Sequence, residues 1–210
     1  MTSWANTSII LGLMTPKTVQ RMESVHLPTD FGDFQLVCYQ ENGAHLLHLA
    51  LVKGDVAGQE GVLVRVHSEC MTGDVFHSQR CDCCAQLQAA MEKMEQAGCG
   101  VVLYMRQEGR GIGLLNKLKA YRLQEDGDDT VEANLKLGFP ADLRTYELCA
   151  QMLEDLGVKS VQLLTNNPKK LDSLHSHGVQ IQKRVPLVIP ANVHNRKYLS
   201  VKQAKLGHLF

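Results

Sequence analysis

Three cysteines, Cys70, Cys81 and Cys83, stand within one short segment, two of them separated by a single residue. Thiolates spaced in this way can close on one soft or borderline metal ion, and zinc is the default occupant. Charged side chains crowd the same stretch: Arg65, Glu69, Asp74, Arg80 and Asp82. A purely structural zinc knot needs no such company, whereas a site that handles an ionised substrate does. Three thiolates leave one coordination position open, as catalytic zinc sites do. The alternative is a closed structural site, with Cys84 as fourth ligand; His67 and His77 are further candidates. Cys84 shares a helical face with Leu87, Met91 and Met94, which points it into the core, where free cysteine behaves as a small hydrophobe. Cys38, Cys99 and Cys149 sit in apolar contexts and read as core.

Two further stretches suit an anion. Glu108–Gly109–Arg110–Gly111–Ile112–Gly113 lies between a strand and a helix, and its glycines allow close backbone approach to a ligand. It departs from the dinucleotide fingerprint, whose third glycine would fall at Leu114. Thr165–Asn166–Asn167–Pro168–Lys169–Lys170 is a capped helix start with two lysines, where N–H groups, the helix dipole and an ammonium can converge on a phosphate. The bland alternatives are a tight turn and a well-capped surface helix. Asp142–Leu143–Arg144 alone reads as a helix cap with a surface charge. His67–Ser68–Glu69 matches the first half of the zinc nucleobase deaminase pattern, but Cys81–Asp82–Cys83 has one intervening residue and no preceding proline, so the second half fails.

The elements that position these residues follow from periodicity. Phe34, Leu36 and Cys38 alternate with Gln35, Val37 and Tyr39, which predicts a strand with one buried face. Asn42–Gly43 is a hairpin signal, and the chain returns over 45–52. Val62 to Val66 is a third strand, so an antiparallel meander delivers His67 to Cys70 at a strand end. A helix follows the cysteines and stops at Gly98. Val101 to Met105 is a continuous apolar run, the mark of a strand buried on both sides. Beyond it come a helix over about 114–124, a helix from about Thr145 to Gly157, a strand over 161–165, the Pro168 helix, a short strand over 179–181 and an amphipathic piece over 198–206. The class is α/β with a mixed sheet: an antiparallel N-terminal meander, then alternating helices and strands.

The chain has 210 residues, enough for one domain with a substantial core. Residues 1–21 read as a flexible extension and 22–210 as the catalytic domain. The apolar run Ile9 to Met14 is too short for a membrane span and lacks the charged start of a signal peptide. The net charge of zero argues against a nucleic-acid binder that works by phosphate neutralisation. Seven cysteines, three of them in a metal set, fit a reducing cytosol better than a disulfide framework. The expected protein is cytoplasmic and binds neither membrane nor nucleic acid.

Taken together, these stretches resemble GTP cyclohydrolase II, which opens the guanine ring of GTP at the start of riboflavin synthesis. The segments that carry the resemblance are Arg65–Cys70, Thr72–Asp74, Cys81–Cys83, Gln86–Leu87, Arg106–Arg110, Ile112–Leu114, Asn116–Lys117, Tyr121, Thr130–Asn134, Asp142 with Arg144, Thr165–Lys170 and Arg184–Leu187. They span about Leu27 to Leu209. The resemblance implies one zinc per subunit on Cys70, Cys81 and Cys83. It implies GTP contacts from Arg65, Val66, His67, Ser68, Glu69, Gln86, Glu108, Gly109, Arg110, Thr130, Thr165 and Lys170. It implies Asp142 as proton acceptor, Arg144 as nucleophile in pyrophosphate release, and Tyr121 in completing ring opening. It further implies Mg²⁺ at the triphosphate and a homodimer. Such domains are often fused to a dihydroxybutanone-phosphate synthase, for which this chain has no room. Two departures stand out: Cys84 replaces an expected glycine, and Met105 stands where some members carry histidine. The rival readings are a zinc deaminase and a non-catalytic zinc-stabilised GTP-binding module.

Overall fold

The computed structural model describes residues 18–43 and 45–209. Most of the expected extension, including the apolar run Ile9 to Met14, lies outside them. Val19, Gln20 and Arg21, which fall inside the expected extension, open the first strand. Among the described residues there are seven strands in one mixed sheet. They are β1 (Val19–Thr29), β2 (Gly32–Glu41), β3 (Leu47–Lys53), β4 (Val62–Ser68), β5 (Gly100–Met105), β6 (Val161–Leu164) and β7 (Ile181–Val185), in the order β1-β2-β3-β5-β4-β6-β7.

The sheet has two halves. β1, β2 and β3 form the antiparallel meander, and β3 continues antiparallel onto β5. β5, β4, β6 and β7 are mutually parallel. The expected third meander strand, β4, therefore belongs to the other half: β5 inserts between it and β3. Its run Val62 to Val66 is apolar at nearly every position, which suits a strand covered on both faces better than a meander edge. β1 escaped periodicity because VQRMESVHLPT has no apolar alternation, and most of it is exposed at the sheet edge.

Both faces of the sheet are covered. Helix α2 (Cys83–Ala97) packs Ala90, Met91 and Met94 against Phe34, Leu51 and Val102 on one face. Helices α5 (Glu147–Asp155) and α6 (Pro168–Ser176) supply Cys149, Met152, Leu153 and Leu174 to the larger cluster on the other. In β2 this reverses part of the expectation: Phe34 faces α2, while Val37 and Tyr39, expected on the open face, are buried in the larger cluster. Of the three cysteines read as core, Cys149 is fully buried, and Cys38 and Cys99 are half-buried.

The remaining helices are a short α1 (Met71–Asp74), α3 (Gly113–Glu125), α4 (Thr130–Lys136) and α7 (Arg196–Leu206). α4 was not expected from apolar spacing. Its start is a complete capping box: the Asp129 carboxylate accepts from Val131 and Glu132 N–H, and Glu132 returns to the Asp129 N–H. The last strand runs over Ile181–Val185 rather than 179–181.

Candidate active site

The four parallel strands all end on one side of the sheet, and the chemistry-bearing loops leave from those ends, where open α/β sheets place ligands. β4 leads into Glu69 and Cys70, β5 into Arg106 to Gly111, and β6 into Thr165 to Asn167. They border one cavity of about 1100 Å³, its open mouth included.

The cysteine end is compact. The sulfurs of Cys70, Cys81 and Cys83 all lie within 4.8 Å of one another, with Cys70 and Cys81 3.7 Å apart. Two sulfurs each about 2.3 Å from one tetrahedral zinc stand about 3.8 Å apart, so the spacing fits the ion. Gly73 packs against the cluster: a Cβ there would lie 2.9 Å from Cys81 Sγ and 3.1 Å from Cys70 Sγ. Lys117 Nζ reaches in from α3, donating to Cys70 Sγ at 3.1 Å and Glu108 Oε1 at 2.8 Å. Hydrogen bonds from the Cys81 and Cys83 thiols, and then the Lys117 ammonium, hold Cys70 as a thiolate. Its hydrogen bond to Cys70 pushes Cys81 up to about 11, and Cys83 rises for the same reason. A bound cation would displace those protons. Burial opposes the charge on Lys117, but Cys70 and Glu108 outweigh it and keep Lys117 protonated.

Neither histidine joins the cluster. His67 Nε2 lies 3.1 Å from both Asp74 oxygens, and Asp74 also accepts from the Cys70 N–H and the Tyr104 hydroxyl. The deaminase pattern, which needs that histidine on the metal, is not met. Cys84 does not point into the core as its spacing suggested: its Sγ lies 3.2 Å from His77 Nδ1 on the exposed side of α2. At this N-terminal end of α2, Gln86 takes the buried position instead. Tyr121 borders the cavity, its hydroxyl 3.3 Å from Thr72 Oγ1 and its ring under Arg80. Burial pushes Tyr121 up to about 12, so it remains a phenol at neutral pH.

The second group on the cavity wall is basic. Arg65, Arg144 and Lys170 all border the cavity. Arg144 donates from Nε and NH2 to the two Asp142 oxygens at 2.8 and 2.6 Å, and its NH1 lies 3.3 Å from Ser68 Oγ. Asp142 sits behind Arg144 rather than on the cavity wall. Burial opposes both ionised forms, but the pairing overrides it, lowering the Asp142 carboxyl and raising the Arg144 guanidinium. Lys170, fully enclosed, donates to Val66 O at 2.7 Å, whereas Lys169 beside it is exposed. Burial and then repulsion from Arg65 and Arg144 depress Lys170 well below the usual lysine range. Arg65 Nε and His67 Nδ1 are buried without a hydrogen-bond partner. Such atoms call for polar groups from a ligand.

Of the other expected contacts, Ser68, Glu69, Gln86, Glu108, Gly109, Arg110, Thr130 and Thr165 border the cavity. Val66 does not: its side chain lies in the core, and only its carbonyl serves the site, by holding Lys170. Two glycines of the 108–113 stretch also serve close packing of the turn. A Cβ on Gly109 would meet Ile112 and Lys117 at 3.1 Å, and one on Gly111 would meet Leu143 at 3.0 Å. Arg110 itself has φ 61, a left-handed backbone rare outside glycine. This turn packs on the Asp142–Arg144 loop, and Arg110 NH2 donates to Thr130 Oγ1 at 3.0 Å. Sequence reasoning placed Lys117 in a matching segment without a role and missed Tyr198 and Lys202 on the cavity wall. A signal existed: Lys117–Tyr121 and Tyr198–Lys202 are each four residues apart on a helix, hence neighbours on one face.

No protein-made cage for Mg²⁺ is present among the described residues, where Cys70, Cys81 and Cys83 form the only group of three metal-capable side chains. No helix among them is long and apolar enough to cross a membrane.

The sequence profile of the GTP cyclohydrolase II family matches residues 20–186. A riboflavin biosynthesis protein RibBA from Bacillus cereus is 59% identical over 191 residues, covering 91% of this chain and 48% of that protein. Its counterpart from Bacillus cytotoxicus is 58% identical over the same shares. The chain thus spans about half the length of these relatives. Among solved structures, a two-domain 3,4-dihydroxy-2-butanone 4-phosphate synthase from A. baumannii, RibBX, aligns with a TM-score of 0.41 and 26% identity over 71% of this chain and 34% of that one.

Proposed function

The chain belongs to the GTP cyclohydrolase II family, and from that premise we propose that it opens the guanine imidazole ring of GTP with release of formate and pyrophosphate. The product would be 2,5-diamino-6-(5-phosphoribosylamino)pyrimidin-4(3H)-one, the entry to riboflavin biosynthesis, the process named for its relatives. One observation carries this reading: a compact cysteine cluster and the basic side chains Arg65, Arg144 and Lys170 border a single cavity. Ring hydrolysis needs the first and a triphosphate needs the second. A zinc-stabilised GTP-binding module would use both as well, and product formation is what separates it from the enzyme.

Cys70, Cys81 and Cys83 would hold zinc, whose Lewis acidity makes water nucleophilic near neutral pH. Water adds at C8 of guanine, the ring C–N bond breaks, and a second hydrolysis frees C8 as formate. Glu69 and Tyr121 border this end and serve proton transfer, Tyr121 as a phenol that can donate. Lys117 offsets one thiolate charge. Arg65, Arg144 and Lys170 bind the phosphates and stabilise charge as water adds at the α-phosphorus, the α–β P–O bond breaks and pyrophosphate leaves. The bidentate Asp142 pair keeps Arg144 cationic, which supports a clamp rather than a nucleophile. Mg²⁺ enters with the nucleotide as its counter-ion. The family premise also carries the homodimer and the cytoplasmic location as proposals.

The test is to incubate zinc-loaded protein with GTP and Mg²⁺ and to quantify formate, pyrophosphate and ammonia together. Equal formate and pyrophosphate is the expected result. Ammonia without formate would establish a deaminase, and binding of GTP without any product would establish a binding module.

A further inference from the structure

The family match ends at residue 186, yet the chain after it reaches three of the loops around the cavity. Asn195 Nδ2 donates to Cys81 O at 3.5 Å, and Lys197 Nζ to Gly127 O at 3.3 Å. Lys205 pairs with Asp129 and, at 2.9 Å, with Glu132, both at the start of α4 beside Thr130. Leu209 N–H donates to Asn166 O at 2.8 Å. α7 and its tail thus form a strap across the zinc loop, the α3–α4 loop and the phosphate-side loop.

One residue of the strap differs from the others. Lys197 and Lys205 are exposed, whereas Lys202 is buried and borders the cavity. Its Nζ donates to Asp82 Oδ1 at 3.0 Å, an ion pair whose side chains are 11% and 1% exposed. Asp82 stands between Cys81 and Cys83, and its Oδ2 accepts from Gln86 Nε2. Gln86 Oε1 in turn accepts from Arg65 NH2, and Arg65 NH1 is fixed on Leu164 O at 3.1 Å. The chain Lys202–Asp82–Gln86–Arg65 sets the orientation of the amide: its oxygen must face the guanidinium and its nitrogen the carboxylate. Without the ammonium, Asp82 would be a buried carboxylate lacking its ion-pair partner, a costly state that reorganises its neighbours.

We propose that Lys202 is a positioning residue: held on the strap, it fixes Asp82 and, through Gln86, aims Arg65 at the anion end of the cavity. This rests on the proposed reaction only in naming the anion a phosphate. Binding of inorganic pyrophosphate, measured by calorimetry with Mg²⁺ present, tests it apart from turnover. Lys202→Met is expected to weaken pyrophosphate binding at least about tenfold, and Gln86→Ala by a similar factor. The double variant should be no worse than the weaker single one within about twofold, because both break one relay. Lys202→Arg should restore most of the affinity. Lys205→Met loosens the same helix without touching Asp82 and should stay within about twofold of the parent. Multiplying single effects, a loss with Lys205→Met equal to that with Lys202→Met, or a parent protein that fails to bind pyrophosphate would each overturn the inference. If the relay behaves as expected but GTP yields neither formate nor pyrophosphate, the proposed reaction fails and the positioning role stands.

Discussion

Two groups border one cavity, the cysteine cluster and the basic side chains Arg65, Arg144 and Lys170, and they differ in what the protein sets against them. At the cysteine end three sulfurs converge and the Lys117 ammonium touches one of them. At the other end Arg65, Arg144 and Lys170 converge, with Asp142 pairing Arg144 from behind. Buried like charges destabilise a fold unless something answers them. Under the proposed function a cation answers the first group and a polyanion the second. On the proposed reading these are two binding sites of opposite sign, β4 supplying Arg65 and Ser68 to one and leading directly to Cys70 in the other. Perturbations should separate them.

Cys83→Ala should have the largest effect. Bound zinc is lost, and formate release falls by at least about 10³-fold. Pyrophosphate binding falls by less than about tenfold if the ends are independent. Metal analysis beside calorimetry checks this, and equal loss at both ends would break the comparison. Arg144→Ala should do the converse: zinc content is unchanged, while pyrophosphate release slows by about 10²–10³-fold, the usual loss for one preorganised donor. A variant that releases pyrophosphate at the parent rate would remove Arg144 from the clamp. Tyr121→Phe sharpens the boundary at the zinc side. Formate release should drop by about 10²-fold with pyrophosphate affinity intact, and an unchanged formate yield would reject its part in proton transfer.

The cysteine end was legible because its ligands are close in sequence and because few chemistries need that spacing. Capping made Asn167 and Pro168 legible in the same way, as a local pattern with a local cause: the Asn167 side chain does accept from the Lys169 N–H at 3.0 Å. The illegible parts are those whose reason lies across the fold. Lys117 and Lys202 look like solvated helix residues until α3 and α7 are docked, and each then meets a partner far off in the chain, Cys70 or Asp82. β4 reads equally well as a meander strand or a parallel one, since an apolar run does not name its neighbour. Cys84 was misplaced because apolar spacing was extended one turn too far toward the N-terminus of α2, where Gln86 takes the buried position for its hydrogen bonds to Arg65 and Asp82.

The smallest expected effect is also the most direct reading of the cationic end. His208 follows α7 and borders the cavity. Burial, then the charges of Lys202, Lys170 and Arg144, lower its pKa to about 3. An unfolded histidine titrates near about 6.5. Between those values the unfolded state binds the extra proton, so stability rises with pH and is lost as pH falls below about 6.5. Pyrophosphate would offset the three cations while leaving His208 buried. The His208 pKa, followed by NMR titration of its ring, should then rise by at least about one unit on pyrophosphate binding and stay in place on zinc loading alone. By reciprocity, pyrophosphate must bind more tightly as pH falls through the window between the free and bound values. A His208 pKa that ignores pyrophosphate would mean that burial alone sets it and that the anion lies elsewhere. One that moves with zinc would mean that the two ends share a single field.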